Sequence, residues 1–172
     1  MLNTPVALGG MVVAPHHLAA QAGRDVLRDG GNAVEAVVAA AAAIAVVYPH
    51  MNAIGGDGFW LIHAPGHPPV AIDACGPAVA RADRAFYAGL DAIPSRGPQA
   101  ALTVAGTVSG WAVALEAAAG WGPALPLPRL LADAVRHARD GVAVSASQSA
   151  LTRDKLAGLR DAPGFAETFL VE

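Results

Sequence analysis

The sequence predicts an α+β fold in which helices outnumber strands and the strands form one hairpin. Helical periodicity and an alanine-rich run cover residues 17–47, and amphipathic stretches return between residues 108 and 160. Between them, two apolar runs at residues 59–62 and 70–75 flank a Pro/Gly-rich turn at residues 65–69, a pattern typical of a β-hairpin. The first run is apolar at every position, which predicts a strand buried on both faces.

The first two helices carry clear start and stop signals. Residues 17–29 place apolar side chains on one face and charged side chains on the other. Gly30 and Gly31 then favour a left-handed C-terminal cap. Asn32 begins the next helix, and Glu35 can bond back to the Asn32 amide as in a capping box. The interior of this helix is mostly alanine and valine, so we expect it to be buried on all sides.

A glycine run, Gly55-Gly56-Asp57-Gly58, joins the second helix to the first strand. A phosphate-binding glycine loop follows a strand and opens a helix, with a lysine or an acidic partner downstream. Here the order is reversed and no lysine follows closely. We therefore interpret the run as a tight turn that requires positive φ.

Helices are predicted again in the last third of the chain. They cover residues 108–119, residues 128–140 before Gly141, and residues 145–160, with Ser145 as N-cap. The stretch 77–106 reads mostly as loop. The sequence then ends at residues 169–172 on an apolar run without a turn or cap, so we expect it to be a piece of a longer polypeptide.

The composition limits the classes of function. Of 172 residues, 54% are apolar and 15% charged, against roughly 25% charged in average soluble proteins. We therefore expect a partner polypeptide to cover much of the surface. The longest apolar run, residues 36–47, is shorter than the about 18 residues that a membrane span needs. A net charge of −3 without a basic cluster argues against nucleic acid as a partner. Residues 1–10 show no secretory signal, which favours the cytoplasm, or the periplasm if a leader was removed.

The residues alone contain no complete catalytic set. The six histidines lack the spacing of a metal site, so we expect no metal ion. No Gly-x-Ser-x-Gly elbow occurs, and the hydroxyls of Thr107 and Ser109 are interpreted as helix N-caps. The only cysteine, Cys75, has no base or cation beside it in the sequence. Its ordinary interpretation is a small, inert, half-buried residue.

Several segments together carry a family resemblance, in a constant order and spacing. They are residues 10–16, 30–34, 49–59, 103–110 and 138–144, together with Asp73. With these segments the chain resembles the large subunit of the gamma-glutamyltransferase (gamma-glutamyltranspeptidase) family, which belongs to the N-terminal-nucleophile amide hydrolases.

The resemblance implies a self-cleaving precursor that yields a large and a small subunit. A threonine at the start of the small subunit would be the nucleophile and its own amino group the base. No catalytic residue is then expected on this chain, and no cofactor. The implied fold is a four-layer αββα sandwich. Residues 1–172 would form a single partial domain, the helix-rich first half of the large subunit plus a hairpin. The rest of the large subunit and the small subunit would complete it, with a dimer of heterodimers as a further assembly.

Cys75 marks the main departure from the family. The resemblance assigns this position to an arginine that binds the α-carboxylate of the glutamyl donor, and Asp73 and Gly76 to the same substrate-binding segment. Cysteine offers nothing comparable to the arginine fork. Losing such a pair costs about 3–5 kcal/mol, or about two to four orders of magnitude in affinity. Asn52, Ala53 and Asp57 are lesser departures.

We therefore predict a self-processed amide hydrolase or acyltransferase that acts on a small non-glutamyl amide, similar to oxamate amidohydrolases or acylases. Two alternatives stay open. In one, Arg81, Arg84 or a small-subunit cation replaces the arginine, and the protein is an authentic gamma-glutamyl hydrolase or transferase of glutathione-like substrates. In the other, the protein is a catalytically inactive relative that acts in binding.

Overall fold

The computed structural model describes residues 4–100 and 103–170. Residues 1–3, 101–102 and 171–172 lie outside the described residues. They belong to the N-terminal segment 1–10, the loop 77–106 and the apolar run 169–172. In chain order the elements are α1 (His17–Arg28), α2 (Ala33–Val47), β1 (Gly58–Ile62), β2 (Val70–Ala74), a short 3-10 turn (Pro98–Ala100), α3 (Thr107–Ala117), α4 (Leu127–Asp140), α5 (Ala146–Leu159) and α6 (Phe165–Phe169). Across these two ranges no helix has both the length and the apolar character needed to cross a bilayer.

The predicted junction between α1 and α2 is confirmed in detail. The Gly30 amide donates to the Leu27 carbonyl at 3.2 Å and the Gly31 amide to the Val26 carbonyl at 2.9 Å, with φ of +92° at Gly30. These two bonds form a Schellman cap. Asn32 and Glu35 then form the predicted capping box at the start of α2. Local side-chain chemistry thus fixes the reversal of the chain here.

Helix α2 is the centre of the core and packs against α1 and α4. Nine of its 15 residues are buried. Val38 and Ala42 of α2 share one apolar cluster with Val26 of α1 and Leu130 of α4. The prediction of burial on all sides fails at Val37, which is 46% exposed beside a surface groove.

The hairpin is antiparallel, with Gly58 opposite Ala74 and Trp60 opposite Ile72. Its inner face packs against α3. Its outer face carries Phe59 and Leu61, which are 71% and 78% exposed. The expected burial of β1 on both faces is therefore not met within the described residues, because only the inner face has a helix against it.

The helices of the last third follow the prediction to within two residues. Gly141 ends α4 with a φ of +81°. The Ser145 hydroxyl accepts the Gln148 amide at 3.2 Å and caps α5. The short helix α6 was not predicted, because five residues are too few to show a period.

Candidate functional site

Three chain segments meet at one end of the hairpin: residues 55–58, 73–78 and 103–107. We call this meeting point the three-segment junction. The Gly56 carbonyl accepts the backbone amides of Gly106 and Thr107, both at 2.9 Å. The Val104 amide donates to the Pro77 carbonyl at 3.0 Å. The glycine turn, the end of β2 and the start of α3 are therefore held together by backbone bonds.

The Thr107 hydroxyl belongs to this junction. It is 2.7 Å from the Gly56 carbonyl oxygen and 3.0 Å from that of Asp57, and it donates to them. The Ser109 hydroxyl donates to the Gly106 carbonyl at 2.7 Å. The prediction that these hydroxyls cap the helix is wrong: both donate to carbonyls, and the first turn of α3 has no side-chain cap.

Close backbone approach explains two glycines of the junction. A Cβ on Gly76 would lie 1.4 Å from the Val104 carbonyl oxygen, and a Cβ on Gly106 would lie 2.0 Å from that of Ala74. The glycine run at residues 55–58 behaves differently. None of its glycines has positive φ, so the predicted reason for that run is wrong. A Cβ on Gly55 would meet nothing within 4 Å.

The three residues predicted to bind substrate lie side by side where β2 ends. Asp73 Oδ1 accepts the Cys75 amide at 2.9 Å. Asp57 Oδ1 accepts the Gly76 amide at 3.0 Å, across 19 positions of the chain. The Gly76 N–H is therefore already bonded within the chain. Cys75 is exposed rather than half-buried, and the carboxylates of Asp57 and Asp73 both lie near it.

This arrangement keeps the Cys75 thiol neutral. Partial loss of hydration raises the pKa of the thiol, and the hydrogen bond and charge of Asp57 and the charge of Asp73 raise it further. A nucleophilic cysteine requires the opposite environment, with a cation or base that lowers its pKa. The geometry thus agrees with an unreactive side chain at this position and gives the segment a negative potential.

A groove of about 490 Å³ opens beside the junction, between α2, β1 and α3. Asp57 and Thr107 line it, together with Asn52 and Ala53, two of the positions that depart from the family. Cys75, Asp73 and Gly76 are not part of its wall. The structure therefore links the departures at residues 52, 53 and 57 to one surface and leaves Cys75 on the adjoining one.

Three of the six histidines, His16, His17 and His50, lie at the N-terminus of α1 and just beyond the C-terminus of α2, whereas His63 lines the groove. His16 stacks on His17 with ring centroids 4.6 Å apart, and Tyr48 lies against His50 at 4.1 Å. Burial, followed by the neighbouring imidazoles of His17 and His137, lowers the pKa of His16. Within residues 4–100 and 103–170, no three His, Cys, Asp or Glu side chains are grouped so as to hold a metal ion.

The bond between Asp57 and Gly76 is the feature that sequence reasoning missed. An aspartate inside a glycine run was the available signal, since it places an acceptor where the backbone can be approached closely. The sequence could not show which amide it would accept.

Comparison with known proteins identifies the family. The family model for gamma-glutamyltranspeptidase matches residues 19–172. The oxamate amidohydrolase proenzyme of Klebsiella pneumoniae subsp. pneumoniae is 60% identical over 172 residues, which are 99% of this chain and 33% of the relative. The glutathione hydrolase-like YwrD proenzyme of Bacillus subtilis is 41% identical over 160 residues, which are 92% and 30% of the two chains. The chain thus spans about a third of the length of these relatives.

A solved structure supports the same assignment at the level of the fold. The gamma-glutamyltranspeptidase of Helicobacter pylori superposes with a TM-score of 0.79 at 28% identity, over 97% of this chain and 48% of that one. The predicted α+β class, helix-rich with one antiparallel hairpin, is confirmed as part of the N-terminal-nucleophile hydrolase fold. The chain belongs to the gamma-glutamyltranspeptidase family.

Proposed function

We propose that this chain is the first part of the large subunit of a self-cleaving amide hydrolase whose substrate is a small amide without a glutamyl group, of the oxamate type. One observation carries the substrate class: Cys75 stands, with a neutral thiol and the carboxylates of Asp57 and Asp73 nearby, where the resemblance expects a carboxylate-binding arginine. The name of the 60% identical relative, an oxamate amidohydrolase proenzyme, supports the same class.

The electrostatics of the Cys75 segment favour this substrate over a gamma-glutamyl one. A gamma-glutamyl donor carries an α-carboxylate and an α-ammonium on the carbon at the far end of a chain of methylenes. The ammonium would be attracted to the pair Asp57 and Asp73, but the carboxylate beside it would be repelled. Like charges brought together disfavour binding, and no arginine offsets them at residue 75. Oxamate carries its carboxylate directly on the scissile carbonyl. Its recognition therefore does not require an arginine at residue 75.

The rest of the machinery is proposed to lie on the polypeptide that this chain lacks. A threonine at the start of the small subunit would attack the amide carbonyl, with its own amino group as base. The exposed outer face of β1, with Phe59 and Leu61, supports a covering polypeptide, because two large apolar side chains on an uncovered strand are costly in water. We propose that further large-subunit residues and the small subunit cover it.

The first test is the processing and substrate preference of the full-length gene product. Intact mass and N-terminal sequencing should give two fragments, the smaller beginning with threonine. Ammonia release from oxamate should then exceed p-nitroaniline release from γ-glutamyl-p-nitroanilide by about two orders of magnitude in kcat/KM. Comparable turnover of both would refute the substrate class. An uncut chain would indicate the inactive, binding relative instead.

A variant at residue 75 tests the electrostatic reasoning directly. Cys75→Arg places a guanidinium near Asp57 and Asp73, and should raise the kcat/KM for γ-glutamyl-p-nitroanilide by at least about tenfold. Cys75→Ser is the matched control, since it changes the side chain without adding charge. If both variants behave alike toward the γ-glutamyl compound, residue 75 does not select the acyl group.

A further inference from the structure

The Asp57 carboxylate reaches out of the glycine turn and bonds the Gly76 amide, one residue beyond Cys75. We propose that Asp57 is a positioning residue, which fixes the segment 73–77 and thereby sets where the Cys75 side chain faces the acyl part of the substrate. The link to substrate rests on the proposed function. The mechanical part of the proposal concerns this chain alone.

Gly76 is held by two contacts. Its amide donates to Asp57 Oδ1 at 3.0 Å. Its backbone also lies so close to Val104 that an added Cβ would overlap the Val104 carbonyl oxygen. The next residue, Pro77, accepts the Val104 amide at 3.0 Å. The Asp57 carboxylate and the Val104 backbone together fix Gly76 and Pro77, and we call this arrangement the clamp.

The backbone of Asp57 is held in place by hydrogen bonds to Thr107, so the position of its carboxylate is restrained. Its backbone carbonyl accepts from the buried Thr107 hydroxyl at 3.0 Å, and the carbonyl of Gly56 before it accepts from Thr107 at 2.7 Å. The first residue of α3 thus fixes the backbone of Asp57. Because Asp57 also lines the 490 Å³ groove, it connects the groove wall to the Cys75 segment.

The contacts of Cys75 that do not involve Asp57 restrain this segment less than the bond from Asp57 does. The Cys75 amide donates to Asp73 Oδ1, two residues back, which shapes the turn but does not tie it to another element. The thiol sulfur lies 4.0 Å from the Gly76 carbonyl oxygen, a contact too long to fix a side chain. Asp57 is the side chain that joins this segment to the glycine turn.

Two substitutions separate the bond from the charge. Asp57→Ala removes both the acceptor and the negative charge. Asp57→Asn keeps an oxygen that can accept the Gly76 amide and removes the charge. Asp83→Asn is the matched control, because the Asp83 carboxylate also accepts a backbone amide, that of Phe86 at 2.8 Å, outside the three segments of the junction.

The structural test is hydrogen exchange of the peptide that contains Gly76, in the full-length gene product. Asp57→Ala should speed its exchange by about tenfold, a loss typical of one charge-assisted bond, and Asp57→Asn should restore most of the protection. Asp83→Asn should match the parent protein. Unchanged exchange in Asp57→Ala would overturn the proposal. If that variant does not fold, faster exchange in Asp57→Glu, whose longer arm misplaces the acceptor, decides in its place.

The thiol of Cys75 gives a second readout that a purely structural role would not move. The rate of alkylation by iodoacetamide is measured against pH, with Cys75→Ser to subtract other thiols. Removing the Asp57 charge in Asp57→Asn should shift the profile to lower pH, and Asp83→Asn should not. A profile identical to that of the parent protein would place the Asp57 carboxylate away from the thiol and refute the arrangement.

Amide release then tests the link to substrate. Asp57→Ala should raise KM by about tenfold with a smaller change in kcat, and Asp57→Asn should recover part of that loss. Equal KM in Asp57→Ala and the parent protein would refute the role toward substrate. A complete absence of turnover in the parent protein would refute the proposed function instead, and hydrogen exchange and alkylation would still decide whether Asp57 positions the segment.

Discussion

Glu35 offers the sharpest test of how this fold is held together. Its side chain is 2% exposed, and each carboxylate oxygen accepts one backbone amide at 2.7 Å: Oε2 from Asn32 and Oε1 from Leu125. The first bond completes the capping box of α2. The second spans 90 positions and fixes the loop that leads into α4. One buried carboxylate therefore joins two helices.

Replacing it as Glu35→Ala removes both acceptors and leaves two amides without partners. Hydrogen bonds to a charged group contribute about 1.5–3 kcal/mol each, so a loss of about 3–6 kcal/mol is expected for the two bonds. Glu35→Gln keeps one acceptor oxygen and should lose about half of that. The assay is urea unfolding of the full-length gene product, followed by circular dichroism.

Glu116→Ala is the matched control, since Glu116 is an exposed glutamate on α3. Surface substitutions of this kind usually change stability by about 0.5 kcal/mol or less. If Glu35→Ala were no more destabilising than Glu116→Ala, the two bonds would contribute nothing net and the reasoning would fail.

Two further predictions concern packing and pH. Gly76→Ala would press a Cβ against the Val104 carbonyl and should lower the free energy of unfolding by about 3 kcal/mol or more. Gly55→Ala is the control, because a Cβ there meets nothing within 4 Å. Thermal unfolding measures both variants, and equal stability of the two would contradict the close approach at Gly76. Burial lowers the pKa of His16 and His137 below 6.5, so the unfolded chain binds protons first as the pH falls. The contribution of these two neutral histidines to the free energy of unfolding should be present above about pH 6.5 and decline as the pH falls below it. A urea midpoint that is the same at pH 7.5 and pH 5 would contradict this.

The helix ends could be predicted from the sequence because their bonds are local. Asn32 and Glu35 lie three residues apart, and the cap at Gly30 involves only the preceding turn of α1. Ser145 likewise accepts an amide three residues ahead. In each case a side chain or a left-handed glycine satisfies the backbone groups that a helix end leaves open, and the residue types that do so are few.

The junction could not be predicted, because its bonds join distant positions. Asp57 accepts an amide 19 residues away, and the Thr107 hydroxyl donates across 51 positions to Gly56. A glycine run reads as a turn with positive φ when its neighbours are unknown. Here close approach of backbone explains Gly76 and Gly106 instead, and it depends on which segments pack together. The predicted N-cap role of Thr107 is wrong for the same reason, since its hydroxyl donates to a carbonyl of a distant segment.

Under the proposed function, the way Cys75 is held lets residue 75 vary without loss of the local structure. Every short bond of the segment involves the backbone, through the amides of Cys75 and Gly76 and the carbonyl of Pro77. The Cys75 side chain is exposed and takes no part in these backbone bonds, so another side chain can occupy the position without disturbing them. A substitution at residue 75 therefore changes the charge of this exposed surface at little cost to folding. Substitutions at Asp57 or Gly76 alter the clamp itself, which is why the two kinds of variant should separate specificity from structure.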